Sequence, residues 1–170
     1  MDAAHGSMTL RTLDETAMLG RALAEVLARG DLVLLRGEVG AGKTTLVRAV
    51  ARGLGIADPI VSPTYLLAQR YQGRHPLPHI DAYRLSGADD EELGLLLDDA
   101  PDAVTMVEWP DALSAGLPPA QMAITIEILD SRERLLRFTS RPSRLTDLER
   151  HLGDLRDRYV HAATERGGDT

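Results

Sequence analysis

The chain has 170 residues, of which 44% are hydrophobic and 26% are charged, with no cysteine and a formal net charge of −7. This composition excludes disorder of the whole chain, a disulfide framework and cysteine-based chemistry. The negative net charge disfavours the wrapping of nucleic acid around the protein, so we expect no DNA partner. No apolar run approaches the roughly 18 residues of a membrane span and the N-terminus lacks the apolar core of a signal peptide, so we expect no membrane partner and a cytoplasmic location.

The first predicted elements are a helix, a strand and a second helix. Thr12 and Glu15 have the spacing of a capping box, which predicts a helix from residue 12 to about residue 29. Residues 31–36 form a short apolar run, as expected of a fully buried parallel strand. Residues 44–52 have helical periodicity and are followed by glycines, which predicts a helix that ends there.

The second half of the chain continues this mixture of strands and helices. The pattern predicts strands at residues 66–71, 77–81 and 103–108, a helix at 89–97, a hairpin of 123–128 with 135–139, and a C-terminal helix whose apolar positions are Leu145, Leu148, Leu152, Leu155 and Tyr159. The length and the absence of a linker predict a single α/β domain over residues 1–170, with frayed tails at about 1–7 and 165–170.

The loop between the first strand and the second helix carries the clearest chemical signal. It fits the phosphate-binding P-loop pattern G-x-x-x-x-G-K-[ST] with Gly37, Glu38, Val39, Gly40, Ala41, Gly42, Lys43 and Thr44. The glycines let successive backbone N–H groups point at an anion, and the following helix adds its positive N-terminal end. Lys43 is the only lysine beside 18 arginines, and its compact ammonium suits β- and γ-phosphate oxygens better than a planar guanidinium does. The Thr44 hydroxyl is a hard oxygen ligand for Mg²⁺.

Two carboxylates at strand ends are candidates to complete a magnesium site. Glu108 ends the apolar strand at 103–108, and Asp81 ends the strand at 77–81. Magnesium is usually held by one or two carboxylates together with phosphates and waters, so both residues could contribute. His79, two residues before Asp81, is expected to be a hydrogen-bonded structural histidine. The single tryptophan, Trp109, is expected either to pack in the fold or to lie beside a nucleotide or a partner.

Four segments together resemble the bacterial TsaE family, also called the YjeE family. They are GEVGAGKTTLVRA at residues 37–49, SPTY at 62–65, HIDAYRL at 79–85 and VEWP at 107–110. The resemblance runs from about residue 12 to residue 138. It implies an α/β P-loop NTPase fold, in which a parallel central sheet is flanked by antiparallel strands and helices. It also implies an ATPase that works with the TsaB and TsaD proteins in threonylcarbamoyl modification of an adenosine next to the tRNA anticodon, resets their complex by hydrolysing ATP, and meets tRNA only indirectly.

The resemblance also implies roles for individual residues. The phosphates are held by residues 40–45, which include Thr45, and Mg²⁺ is held by Thr44 and Glu108. Asp81 matches an acid linked to hydrolysis, and we expect it to place or deprotonate the attacking water. Thr64 lies in a segment that resembles a switch and is expected to sense the γ-phosphate. Thr16 and Arg132 match positions near the nucleotide, although Arg134 lies only two residues from Arg132.

Three other functions use the same signals. A small-molecule or nucleoside kinase would share the P-loop, but it would need an acceptor pocket and usually an arginine-bearing lid, and no lid segment is evident. A GTP-dependent switch would usually carry N-K-x-D, which a chain without asparagine cannot contain. A non-enzymatic subunit with a bound nucleotide would be separated from a partner-activated ATPase by turnover in the presence of TsaB and TsaD.

Overall fold

The computed structural model describes residues 3–61, 67–85, 90–113 and 117–165, with the backbone alone at residues 84 and 90 and from residue 154 onward. The strands of this part of the chain are β1 (Ala4–Leu10), β2 (Leu32–Arg36), β3 (Ala68–Tyr71), β4 (Leu77–Asp81), β5 (Thr105–Glu108), β6 (Met122–Ile128) and β7 (Arg134–Ser140). Its α-helices are α1 (Leu13–Val26), α2 (Lys43–Gly53), α3 (Asp90–Leu96) and α4 (Pro142–Glu165).

All seven of these strands form a single mixed sheet in the order β1-β7-β6-β2-β5-β4-β3. The four central strands, β6, β2, β5 and β4, are parallel to one another. At one edge β7 and β1 are added antiparallel, and at the other edge β3 pairs antiparallel with β4. The predicted fold, a parallel centre with antiparallel strands at its sides, is confirmed.

The N-terminal helix begins where its capping signal predicts. The Thr12 hydroxyl accepts a hydrogen bond from the backbone N–H of Glu15 at 3.1 Å, and the Glu15 carboxylate accepts one from the Thr12 N–H at 3.3 Å. These bonds satisfy donors that the first turn of a helix otherwise leaves unpaired. Helix α1 therefore starts at Leu13, and it ends at Val26 rather than near residue 29.

Alternating side chains of the central strands supply two apolar layers, one on each face of the sheet. Helices α1, α2 and α4 cover the face to which Val33 and Leu35 belong, and this face carries the main core. Leu32 lies on the opposite face in a smaller cluster with Ile80 and Val107. The period of two along β2 explains why neighbouring residues of one apolar run belong to different layers.

The N-terminus of the chain differs from the sequence prediction. Residues 4–7 were expected to be frayed, but they belong to β1, in which Ala4 is paired with Ser140 of β7. Periodicity missed this strand because a polar edge strand lacks a continuous apolar signal. At the other terminus α4 extends to Glu165, and residues 166–170 lie outside the described residues. Within the described part of the chain, no helix is both long and apolar enough to cross a membrane.

Candidate functional site

The P-loop lies at the carboxyl end of β2 and leads directly into α2. Two of its glycines occupy positions that a larger residue would strain. A Cβ at Gly37 would lie 2.5 Å from the carbonyl oxygen of Ile126, and Gly42, the N-cap of α2, has a left-handed backbone with φ of 109°. The loop can therefore curl back over the N-terminus of α2, where unpaired N–H groups and the helix dipole favour an anion.

Lys43 is held against its own loop. Its ammonium donates hydrogen bonds to the carbonyl oxygens of Gly37 at 2.7 Å and Glu38 at 3.0 Å. Lys43 as a whole is only 5% exposed. Two of the three ammonium hydrogens are thereby engaged, which leaves one for a further acceptor. Burial lowers the pKa of Lys43 below its usual value, and the negative charges of nearby carboxylates, that of Glu108 first, oppose this shift.

Glu108 is the central acceptor on the neighbouring strand. Its Oε1 atom accepts hydrogen bonds from the Thr44 hydroxyl at 2.8 Å and lies 2.8 Å from Nε2 of His79. Glu108 is 3% exposed and His79 is fully buried. The carboxylate at the end of β5 is therefore joined to the first turn of α2 on one side and to β4 on the other.

Asp81 reaches the same edge of the sheet from β4. The parallel register pairs Asp81 with Glu108, so the two carboxylates end neighbouring strands and share one face. Asp81 Oδ1 accepts a hydrogen bond from the Tyr83 N–H at 3.0 Å, which caps a short 3₁₀ turn over Ala82–Arg84. That bond uses one carboxylate oxygen and holds the side chain at the wall of the site.

Trp109 covers the P-loop lysine. Its ring centroid lies 3.8 Å from the Lys43 ammonium, which is cation–π geometry, and 5.2 Å from the ring centroid of Tyr83. Trp109 has a left-handed backbone with φ of 56°, which costs a non-glycine residue on the order of 1–3 kcal/mol. This strained conformation turns the chain directly after Glu108. Of the two sequence interpretations of Trp109, the structure favours a position beside the phosphate loop.

Two cavities meet at the P-loop. The P-loop cavity, of about 360 Å³, is bounded by Lys43, Thr44, Asp81, Glu108 and Trp109 together with further residues of the loop. The side cavity, of about 290 Å³, lies between the start of α1 and the β6–β7 turn. Both are lined by Gly40, Gly42 and Thr45, so the loop forms a shared wall between them.

The side cavity contains both outlying residues that the sequence analysis assigned to a nucleotide. Thr16 of α1 and Arg132 of the β6–β7 turn line it, and Ala41 of the P-loop does so too. Arg134 lines the same cavity and donates to the carbonyl oxygen of Ala41 at 3.2 Å. The apolar wall, which includes Leu136, was not predicted, because side chains from distant strands meet there only in the folded chain.

The remaining predicted site residues divide into three groups. Val39 lines the P-loop cavity and is 79% exposed at the tip of the loop, whereas Glu38 contributes its carbonyl oxygen to Lys43. Thr64 and the rest of the SPTY segment lie outside the described residues. Apart from Gly37 and Glu38, whose carbonyl oxygens accept hydrogen bonds from Lys43, the described residues of the predicted site line the two adjoining cavities. The roles of all these residues stay predictions.

The donor set is compatible with magnesium. Among the described residues, no group of three or more His, Cys, Asp or Glu side chains is arranged to hold a metal by itself. The edge of the P-loop cavity instead offers a hydroxyl and a carboxylate oxygen, from Thr44 and Glu108, with Asp81 on the adjacent strand. Magnesium favours oxygen ligands and commonly takes one or two carboxylates plus phosphate oxygens, so this incomplete protein set fits an ion that arrives with a phosphate ligand.

Comparisons with known proteins agree on one family. The family model described as threonylcarbamoyl adenosine biosynthesis protein TsaE matches residues 10–136. A Streptomyces coelicolor protein named tRNA threonylcarbamoyladenosine biosynthesis protein TsaE is 44% identical over 113 residues, which cover 64% of this chain and 76% of the relative. A Mycobacterium bovis protein of the same name is 36% identical over 132 residues, covering 72% of this chain and 79% of the relative.

A solved structure extends the comparison to the fold. The crystal structure of YdiB from Bacillus subtilis is similar to this chain with a TM-score of 0.71 and 28% sequence identity. The similarity covers 91% of this chain and 97% of that chain. Together with the mixed sheet and the loop between β2 and α2, it fits a P-loop NTPase fold.

Proposed function

The chain belongs to the TsaE family of threonylcarbamoyl adenosine biosynthesis proteins, and on this premise we propose that it is an ATPase of tRNA threonylcarbamoyladenosine biosynthesis. It hydrolyses ATP in the presence of Mg²⁺ and acts with the TsaB–TsaD complex, which it resets between turnovers. Its contact with tRNA is indirect, through that complex. The names of the relatives support the pathway, and the geometry of the site supports the nucleotide chemistry.

The observation that carries the ATPase proposal is the meeting of the P-loop with two strand-end carboxylates. Lys43, Asp81 and Glu108 line one cavity at the N-terminus of α2. A phosphate chain bound there would meet the backbone N–H groups of the loop and the ammonium of Lys43. These groups neutralise the negative charge that moves between phosphate oxygens as the terminal phosphoryl group is transferred.

The two adjoining cavities support a specific orientation of the nucleotide. The phosphates occupy the P-loop cavity, where Lys43 and the start of α2 supply positive charge. The adenosine lies across the shared glycine wall in the side cavity, against Thr16 and Arg132. Apolar walls and a few polar groups are the usual lining of a small-molecule site, and the side cavity has both.

Thr44 and Glu108 are the proposed holders of Mg²⁺. The hydroxyl donates its hydrogen to Glu108, so its lone pairs remain available as ligands. When bound, the ion supplies positive charge that stabilises the phosphate oxygens and the leaving group. Glu108 thus serves both to orient Thr44 and to balance that charge.

Asp81 is the proposed residue for placing the attacking water. Its Oδ1 already accepts a hydrogen bond from the Tyr83 N–H, so Oδ2 is the oxygen that would accept one from the water. Water attacks the γ-phosphorus, the bond to the β–γ bridging oxygen breaks, and the products are ADP and inorganic phosphate. Thr64, which the family resemblance assigns to a switch, would relay loss of the γ-phosphate to the partner proteins.

The test is a reconstituted modification reaction with TsaB, TsaD, tRNA and this chain, in which modified tRNA is counted per complex. We expect many turnovers with the wild-type chain and about one turnover with Lys43→Ala. Arg150→Gln, which removes one positive charge from an exposed position on α4, is the matched control and should behave as wild type. A count that does not depend on this chain would refute the proposed role.

A parallel assay separates hydrolysis from kinase activity. ATP consumption is followed with TsaB and TsaD present and with no small-molecule acceptor added. Release of inorganic phosphate in step with ATP loss is expected of an ATPase. A kinase would consume ATP only after a nucleoside or another hydroxyl acceptor is supplied, and that outcome would overturn the proposal.

A further inference from the structure

His79 is a buried polar residue next to the proposed metal ligands. It is 0% exposed in the middle of β4, and its Nε2 lies 2.8 Å from Oε1 of Glu108. Thr44 donates to the same oxygen at 2.8 Å. His79 lines neither the P-loop cavity nor the side cavity, so it belongs to the layer behind the site.

Sheet register explains how a residue from another strand reaches this carboxylate. His79 is paired with Met106, and Asp81 is paired with Glu108, so all four share one face of the sheet. His79 is thus the diagonal cross-strand neighbour of Glu108, a separation that a long side chain can bridge. Any slip of register by one residue would turn His79 to the opposite face.

The hydrogen-bond inventory shows what this contact does. A carboxylate oxygen only accepts hydrogen bonds, so Nε2 of His79 carries the hydrogen and donates it. Oε1 of Glu108 then receives two donors, which occupies that oxygen and leaves Oε2 for other ligands. Nδ1 of His79 is buried with no hydrogen-bond partner among the described residues. An apolar side chain of similar size would avoid this unsatisfied nitrogen, so packing alone does not account for an imidazole here.

We propose that His79 is a positioning residue that holds the Glu108 carboxylate, and through it the Thr44 hydroxyl, in the orientation that binds Mg²⁺. This inference rests on the proposed function, because it assigns a supporting residue to the same metal site. Partners of this kind fix ligand orientation, and their loss typically weakens metal binding about 10- to 100-fold. Without the His79 donor, the carboxylate can rotate and the Thr44 hydroxyl loses its fixed acceptor.

The proposal predicts that loss of His79 changes the affinity for Mg²⁺ and leaves the affinity for ADP nearly unchanged. Binding of ADP measured in EDTA should stay within about twofold of wild type in a His79 variant, because His79 touches neither cavity. The concentration of Mg²⁺ needed to complete the ADP complex should rise about 10- to 100-fold. A residue needed only for packing would weaken both affinities together or neither.

The experiment compares three variants of the full chain by titration of Mg²⁺ at saturating ADP. His79→Gln keeps an amide N–H near the Nε2 position and should retain most of the Mg²⁺ affinity. The asparagine of His79→Asn is too short to reach Glu108, so this variant should lose most of the Mg²⁺ affinity. His79→Leu, which has no donor, should lose it as well. Ile80→Val, a buried neighbour on the same strand whose side chain lies in the opposite layer, is the matched control.

The results separate failure of the positioning role of His79 from failure of the proposed function. If His79→Leu does not fold, the Gln and Asn pair decides, since both are polar and only the longer one can restore the bond. In a Glu108→Ala background, where we expect the Mg²⁺ dependence to be lost already, His79→Asn should cause no further change, because its target is gone. Equal Mg²⁺ affinity in the wild type, His79→Gln and His79→Asn would overturn the positioning role and leave the proposed function intact. Failure of the wild type to bind ADP at all would overturn the proposed function as well.

Discussion

Replacement of Gly20 by alanine tests how tightly helix α1 packs against α2, the helix that follows the P-loop. Gly20 lies on α1 where that helix crosses α2. A Cβ at this position would lie 2.3 Å from the Cβ of Ala49 and 2.4 Å from its carbonyl carbon. Because that second atom is backbone, no rotation of a side chain relieves the overlap. The two helices must separate by roughly 1 Å to restore ordinary contact distances.

The size of the effect follows from two opposing contributions. Alanine is favoured over glycine in a helix interior by about 1 kcal/mol. Overpacking of a well-packed core costs about 1–3 kcal/mol, and a clash with backbone belongs at the upper end of that range. The expected net loss of unfolding free energy for Gly20→Ala is therefore about 2 kcal/mol. In a chain of this length, that corresponds to a decrease in Tm of about 4–8 °C.

The assay is equilibrium unfolding in urea, with Gly94→Ala as the matched control. Gly94 lies in α3, and among the described residues no atom outside its chain neighbours and its own helix backbone lies within 4 Å of the position where its Cβ would be, so only the helix propensity changes there. We expect a lower urea midpoint for Gly20→Ala, an equal or higher one for Gly94→Ala, and an unchanged m-value for both. A Gly20→Ala protein as stable as Gly94→Ala would show that the helix contact is looser than the structure indicates, and the reasoning would be refuted.

The other predictions concern the candidate site and follow from its charges. Lys43→Ala should weaken binding of ATP by about 2–5 kcal/mol, because the phosphates lose a buried cation; unchanged affinity in calorimetry would contradict this. Asp81→Asn keeps an oxygen for the Tyr83 N–H but loses the charge, so ATP binding should persist while partner-stimulated hydrolysis falls about 10²- to 10⁴-fold; normal phosphate release would exclude the assigned role. Glu108→Ala should abolish the difference between nucleotide affinities measured with Mg²⁺ and with EDTA, and a persisting difference would show that Glu108 is not needed for the metal.

The strained backbone of Trp109 links the candidate site to the turn that follows β5. Its left-handed backbone and its position over Lys43 are two consequences of one turn after β5. Glu108, the last residue of β5 before this turn, contacts Thr44, and directly after it the turn places the indole ring over Lys43. A strained residue at this point is consistent with a functional site, where stored strain is commonly found and is maintained by the surrounding packing.

Much of the fold was predictable because its signals are local. The capping box from Thr12 to Glu15 spans four residues, and its two hydrogen bonds form within one helical turn. The P-loop pattern specifies glycines where the backbone must curl and a lysine where phosphate charge must be met, so its position between a strand and a helix followed directly. The hairpin of β6 and β7 joins strands that are neighbours in the chain, and its alternation was visible in the sequence.

The sequence by itself determined the P-loop, the helix that follows it, the strand-end carboxylates and the family. Only the tertiary structure decided which distant segments meet: that β1 pairs with β7 across more than a hundred residues, that His79 lies behind Glu108, and that Thr16 and Arg134 line one cavity beside the loop. The physical reason is the range of the interactions. Turns, caps and helical periods depend on residues a few positions apart, whereas strand order and register depend on how whole apolar faces are buried, which no short pattern encodes.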